Sequence, residues 1–109
     1  MEIGLSVVIP FRDEAESLPA LHAELARVLD ALPLASEILF VDDASRDDGL
    51  AVAEGVAVRD PRVRVLALSP HAGQSAALEA GFRAARGALV ATMDADLQND
   101  PADLPALLA

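Results

Sequence analysis

Ala88-Leu89-Val90-Ala91-Thr92-Met93-Asp94-Ala95-Asp96-Leu97-Gln98 runs from an apolar stretch straight into two carboxylates separated by one residue. The first six residues read as a buried strand. Asp94 and Asp96, released at its end, suit a hard divalent cation with oxygen ligands, an arrangement that commonly accompanies substrate phosphates. Asp100-Pro101 then opens a helix, with Asp100 as cap and Pro101 at the first helical position.

The same sequence of apolar strand, polar turn and helix occurs three times before it. Leu5 to Pro10 is β-branched and apolar, is stopped by Pro10, and is followed by Phe11-Arg12-Asp13-Glu14. A helix capped by Ser17, with Pro19 in its first turn, carries Leu18, Leu21, Leu25, Val28, Leu29 and Leu32 on one stripe and ends at Leu32-Pro33. Glu37 to Val41 is the second strand and ends in Asp42-Asp43. Ser45, Asp47 and Asp48 suit the start of the next helix, which turns Leu50, Ala53, Val56 and Ala57 inward and stops at Asp60-Pro61. Arg62 to Leu68 reads as a strand near a sheet edge. The loop Ser69 to Gly73 leads into a helix over 74–86 that is rich in small residues and capped by Gly87.

Such alternation predicts an α/β fold: an open, mainly parallel, Rossmann-like sheet with right-handed crossovers and helices on both faces. Ligands of such sheets bind outside the carboxyl ends of the strands. The loops after the first, second and fourth strands are therefore expected to converge on one site.

Composition narrows the function. The 109 residues are 53% apolar, enough for one domain with a core, and carry a formal charge of −10. That charge argues against a broad nucleic-acid or anionic-membrane surface. It also means that a phosphate-bearing ligand needs a cation beside the clustered acids. The absence of Cys excludes disulfides and thiolate metal sites, and the absence of Lys excludes a lysine phosphate loop or Schiff base. No run reaches the roughly 20 apolar residues of a membrane span. The expectation is a soluble piece, most simply cytoplasmic.

Each candidate residue has two readings. Asp94-Ala95-Asp96 is a metal turn or an ordinary cap, with Gln98 as a further oxygen ligand favouring the metal. Asp42 either caps or accepts a hydrogen bond from a nucleobase N–H; Asp43 reads equally as a cap. Glu14 lines a pocket or is a solvated charge at a helix entry. Arg12 pairs with an acidic neighbour or with phosphate. His22 reads as a surface residue, His71 as structural, and Ser45 as a cap rather than a nucleophile.

Taken together, Val7-Val8-Ile9-Pro10 with Glu14, Val41-Asp42-Asp43-Ala44-Ser45 with Asp48, Gly73-Gln74 with Ala77 and Gly81-Phe82, and Met93 to Gln98 with Pro101 resemble the nucleotide-sugar-binding half of family 2 glycosyltransferases. The likeness extends from Ser6 to Leu107 and is greatest to the polyprenyl-phosphate and dolichol-phosphate enzymes. It implies a nucleotide-sugar pocket made by Pro10, Glu14, Asp42, Asp94 and Ala95, and Arg12 and Phe40 are added as candidate lining residues. It also implies a Mg2+ or Mn2+ ion on Asp94, Asp96 and Gln98. Two departures stand out. The family's usual Pro-x-Tyr-Asn-Glu has Arg12 and Asp13 in place of Tyr and Asn, which removes a ring available for base stacking, and Ala44 replaces a usual Gly.

The resemblance implies an inverting transfer of sugar from a GDP- or UDP-linked donor to an acceptor, a polyprenyl phosphate in the enzymes it is most like. No residue here is assigned a catalytic role, because the acceptor half is expected beyond Ala109. By itself this piece is expected to bind nucleotide and turn over little, and its longer form to sit at the cytoplasmic face of a membrane. An exposed sheet edge makes a homo-oligomer reasonable. A non-catalytic nucleotide-binding or structural module is the alternative. A receiver domain would require a Lys, and a dinucleotide-binding domain a glycine-rich turn where Pro10-Phe11-Arg12-Asp13 stands.

Overall fold

The apolar runs become strands and the periodic segments become helices in the order β1 (Leu5–Phe11), α1 (Leu18–Ala31), β2 (Ser36–Asp43), α2 (Gly49–Arg59), β3 (Val63–Leu68), α3 (Gln74–Ala84) and β4 (Leu89–Thr92). The computed structural model describes residues 2–95. Asp96, Gln98 and the helix expected from Asp100 lie outside the described residues.

All strand pairs are parallel, in the order β3-β2-β1-β4. Among the described strands β3 is thus an edge, as its early alternation suggests, and β4 is the other. From β1 the chain moves outward to β2 and β3, then crosses back to β4. The direction of winding reverses between β1 and β4, which is where such sheets bind ligands.

Pleating sends alternate residues to opposite faces. Leu5, Val7, Ile9 and Phe11 join Ile38 and Phe40 under α1 and α2, where Leu18, Leu21, Leu25, Leu29, Ala53 and Val56 meet them. Val8, Leu39 and Val41 form the opposite core with Ala77 of α3. The small residues of α3 allow close approach: a Cβ at Gly81 would overlap the side chain of Val8.

β1 does not stop at Pro10 but continues to Phe11 against β2. The reason is local. Val8 accepts from Met93 N–H, so residues of its parity turn their backbone groups toward β4, and the β1–β4 ladder ends at Val8 and Thr92. The N–H that Pro10 lacks would point where no strand partner remains.

Several caps differ from expectation. Ser17 and Asp48 occupy the N-cap positions of α1 and α2 without a side-chain cap bond. Ser17 Oγ instead donates to Glu14 at 3.3 Å, and the N–H of Gly49 finds Asp47 Oδ1 at 2.7 Å. Gly87 does not cap α3, whose C-cap is the extended Ala85. It lies against Ser6, donating its N–H to Ser6 Oγ at 2.8 Å.

Ala44 has φ of 59°, in the left-handed region. A Cβ there costs about 1–2 kcal/mol, against roughly 0.5–1 kcal/mol of extra unfolded-chain entropy for Gly. Ala44→Gly is therefore expected to stabilise by about 0.5–1 kcal/mol and raise the melting temperature by a few degrees. A calorimetric scan that shows a lower midpoint would contradict this.

Candidate functional site

Beyond Val8 and Thr92, β1 and β4 are no longer paired, and a cavity of roughly 200 Å3 opens at their carboxyl ends. Pro10, Phe11, Arg12 and Glu14 line it from β1 and the turn after it, Asp43 from β2, Gln74 and Ala77 from α3, and Asp94 and Ala95 from the turn after β4. Five of the expected residues are therefore brought together: Pro10, Arg12, Glu14, Asp94 and Ala95.

Phe40 is not among them. It is fully buried in the α1–α2 core, edge-on to Phe11 with ring centroids 6.2 Å apart. The expectation that it contacts a nucleotide is corrected: its parity in β2 places it under the helices. Asp42 shares that parity. It is buried, and its Oδ1 accepts the N–H of Ser45 at 3.0 Å, closing the turn after β2. Its neighbour Asp43, on the α3 side, is the carboxylate that reaches the cavity.

Asp43 is also the anchor of the loop that leads into α3. Its two oxygens accept the N–H groups of Ala72 (2.7 Å) and Gly73 (2.9 Å), and His71 Nδ1 lies 2.6 Å away. Burial pushes its pKa up, but those two amides and His71 outweigh it and hold the carboxyl below its ordinary range. His71 thus has the structural part expected of it. Gln74 follows directly into the cavity.

The turns after β1 and β2 are tied reciprocally. Asp13 accepts from Arg46 and Asp47 N–H at 2.6 and 3.2 Å, while its own N–H donates to Ser45 Oγ at 2.9 Å. Asp47 Oδ2 accepts the N–H of Ala15 at 3.1 Å. Asp13 has φ of 59°, a conformation that Asp and Asn tolerate, so Asp for Asn at this place preserves the turn. The amide bonds from Arg46 and then Asp47 outweigh desolvation and lower its pKa.

Among the residues lining the cavity, Arg12 is the sole cation against the carboxylates Glu14, Asp43 and Asp94. Its Nε is buried and has no hydrogen-bond partner. Among the described residues no three metal-ligating side chains form a cluster, and no described helix is long and apolar enough to cross a membrane. The lining still offers hard oxygen donors without sulfur, the chemistry that suits Mg2+ or Mn2+. Asp94 is placed to contribute; Asp96 and Gln98 lie outside the described residues.

The chain and its fold have relatives among known proteins. The sequence model of glycosyl transferase family 2 matches residues 6–109. The chain belongs to glycosyl transferase family 2. The chain is 40% identical over 108 residues to a dodecaprenyl-phosphate galacturonate synthase of Rhizobium johnstonii, covering 98% of this chain and 32% of that protein. An undecaprenyl-phosphate 4-deoxy-4-formamido-L-arabinose transferase of Pseudomonas fluorescens is 42% identical over 105 residues, covering 95% and 31%. The chain thus spans about a third of the length of these family 2 relatives. The fold is that of a mannosyltransferase from Pyrobaculum calidifontis solved with GDP-Man and Mn2+, with a TM-score of 0.80 at 22% identity, covering 97% of this chain and 31% of that one.

Proposed function

We propose that this chain forms the donor and metal site of a glycosyltransferase that moves a sugar, with inversion, from a GDP- or UDP-linked donor to a polyprenyl phosphate. The observation that carries this reading is the cavity between the ends of β1 and β4, where Glu14 and Asp94 face one space at the point where the winding reverses. The names of the two relatives support a lipid-phosphate acceptor. The mannosyltransferase solved with GDP-Man and Mn2+ supports a nucleotide-sugar donor and a divalent ion.

Asp94, with Asp96 and Gln98, would hold Mg2+ or Mn2+. When bound, such an ion supplies positive charge for the departing nucleoside diphosphate. The chain's own contribution is to fix the donor. Pro10 and Ala95 wall the cleft, Glu14 offers an acceptor to donor hydroxyls, and the anchored loop at Asp43 sets Gln74. A lipid phosphate is already anionic near neutral pH, its second pKa being about 6, so it needs positioning more than a general base. A polyprenyl acceptor would put the reaction at a membrane surface, and a nucleotide-sugar donor would put it on the cytoplasmic side.

Calorimetric titration with GDP, UDP and their sugars, with Mn2+ and with chelator, tests the assignment. Binding is expected to strengthen with Mn2+, and Asp94→Ala is expected to weaken the metal-dependent part by about tenfold or more, as even outer-sphere losses at metal sites do. If millimolar nucleotide with Mn2+ gives no heat and protects no residue of the cavity from exchange, the donor-site reading fails.

A further inference from the structure

Arg62 and Arg64, both partly buried, each hold a carboxylate: Arg62 binds Asp60 and Asp30, and Arg64 binds Glu37. Arg12 is also partly buried, yet it has no ion pair with any described residue, and its Nε–H is enclosed with nothing to donate to. A buried donor without a partner is uncommon in a native protein and points to a group supplied from outside. Asp13, beside Arg12, is taken up by the amides of Arg46 and Asp47 and feels the arginine only through space, so among the described residues no acid holds the guanidinium, and the phosphate reading is the one left to fill it.

The cavity supplies the rest of the argument. Three of the four charges lining it are negative. A diphosphate entering there meets Glu14, Asp43 and Asp94, and Arg12 is the one lining side chain that attracts it. The guanidinium fork matches phosphate oxygens and stays charged at every working pH. Its position agrees. Val8 pairs with Thr92, so Pro10 and Asp94 each stand two residues past the end of the ladder, and Arg12, in the turn after β1, lines the same cavity as Asp94.

We propose that Arg12 is the protein's own phosphate ligand in this cleft, its guanidinium taking an oxygen of the nucleoside diphosphate independently of the metal. The proposal rests on the donor-site reading above and adds to it a metal-free component of binding.

The test uses the intact chain and its Arg12→Gln and Arg12→Lys variants, titrated with UDP, GDP and the corresponding nucleosides, in Mn2+ and in chelator. Arg12→Gln is expected to weaken diphosphate binding by about tenfold to a hundredfold, the range of a charge-assisted hydrogen bond. The loss should appear in chelator as well as in Mn2+, with a shallower salt dependence. Arg12→Lys should recover part of it, and nucleoside binding should not change. The melting temperature of Arg12→Gln should stay close to that of the parent, because no hydrogen bond or ion pair to a described residue is lost. Unchanged diphosphate affinity in Arg12→Gln, with the parent binding normally, overturns the proposal and leaves the donor site standing. An equal loss for nucleosides assigns Arg12 to the base and overturns it too, as does a marked fall in melting temperature. If the parent binds no nucleotide at all, both readings fall together.

Discussion

Gly87→Ala is expected to destabilise the chain by about 3 kcal/mol, although it adds one methyl group to a residue outside every helix and strand. A Cβ at Gly87 would stand 2.6 Å from Ser6 N, 2.7 Å from Ser6 Oγ and 2.8 Å from Leu5 C. Two of these atoms are backbone of β1, the strand paired on both sides, and they have little freedom to retreat. Moving Gly87 away breaks its bond to Ser6 Oγ. That hydroxyl donates to the buried Glu37 at 2.7 Å, whose oxygens also accept from Arg64 (2.9 Å) and Arg86 N–H (2.7 Å). Burial raises the pKa of Glu37, but Ser6, Arg86 and Arg64 together hold it low, so loosening the cluster uncovers a charge. The overlap and the weakened network add. The melting temperature should fall by roughly 10–15 °C. Gly55→Ala is the control: nothing lies within 4 Å of a Cβ there, in the middle of α2. It should stabilise by about 0.5–1 kcal/mol, the difference in helix propensity. If both variants shift in the same direction, the close approach of Gly87 to β1 is not what the structure describes.

The contrast shows what a sequence discloses and what it withholds. Strand and helix existence was legible because the central strands β1 and β2 are buried on both faces and read as almost unbroken apolar runs, as in Val7 to Ile9 and Ile38 to Val41, whereas β4, read as a buried strand, leaves Leu89 and Val90 exposed at the sheet edge. The convergence of three turns at the carboxyl ends followed from parallel topology alone. What stayed hidden depends on which neighbour a residue meets. Gly87 looks like a helix cap until β1 is placed beside it. Glu37 looks like a strand-end charge until Ser6, 31 residues away, closes over it. Asp13 and Asp47 read as turn and helix-start residues, whereas their bonds join turns more than 30 residues apart in sequence. The place of Phe40 was only half legible. In Ile38-Leu39-Phe40-Val41-Asp42-Asp43, period two puts Phe40 and Asp42 together and Asp43 opposite, and only the order of the sheet tells which face carries α3.

Asp43 is where that face matters most, and Asp43→Ala is expected to affect both stability and ligand binding. The substitution leaves Ala72 and Gly73 N–H without their acceptor and releases His71, at a cost of about 2 kcal/mol near neutral pH. It also frees the segment that delivers Gln74 to the cavity and removes a lining carboxylate, so nucleotide affinity should fall while α1 and α2 keep their packing. The pH dependence follows from the sign of the shift. Asp43 in the folded chain lies below its ordinary value, so the unfolded chain takes up the proton first as pH falls. Its contribution is therefore complete above the ordinary aspartate pKa of about 3.9 and is lost as pH drops through the folded value. Urea unfolding of the parent and Asp43→Ala should show a clear difference at pH 5 and a narrowing one below pH 4. A gap that stays the same down to pH 3 would mean that the anchoring is not ionic. No gap at pH 7 would mean that the loop before α3 holds its shape without Asp43, and the cleft's third wall would then have to be explained by α3 alone.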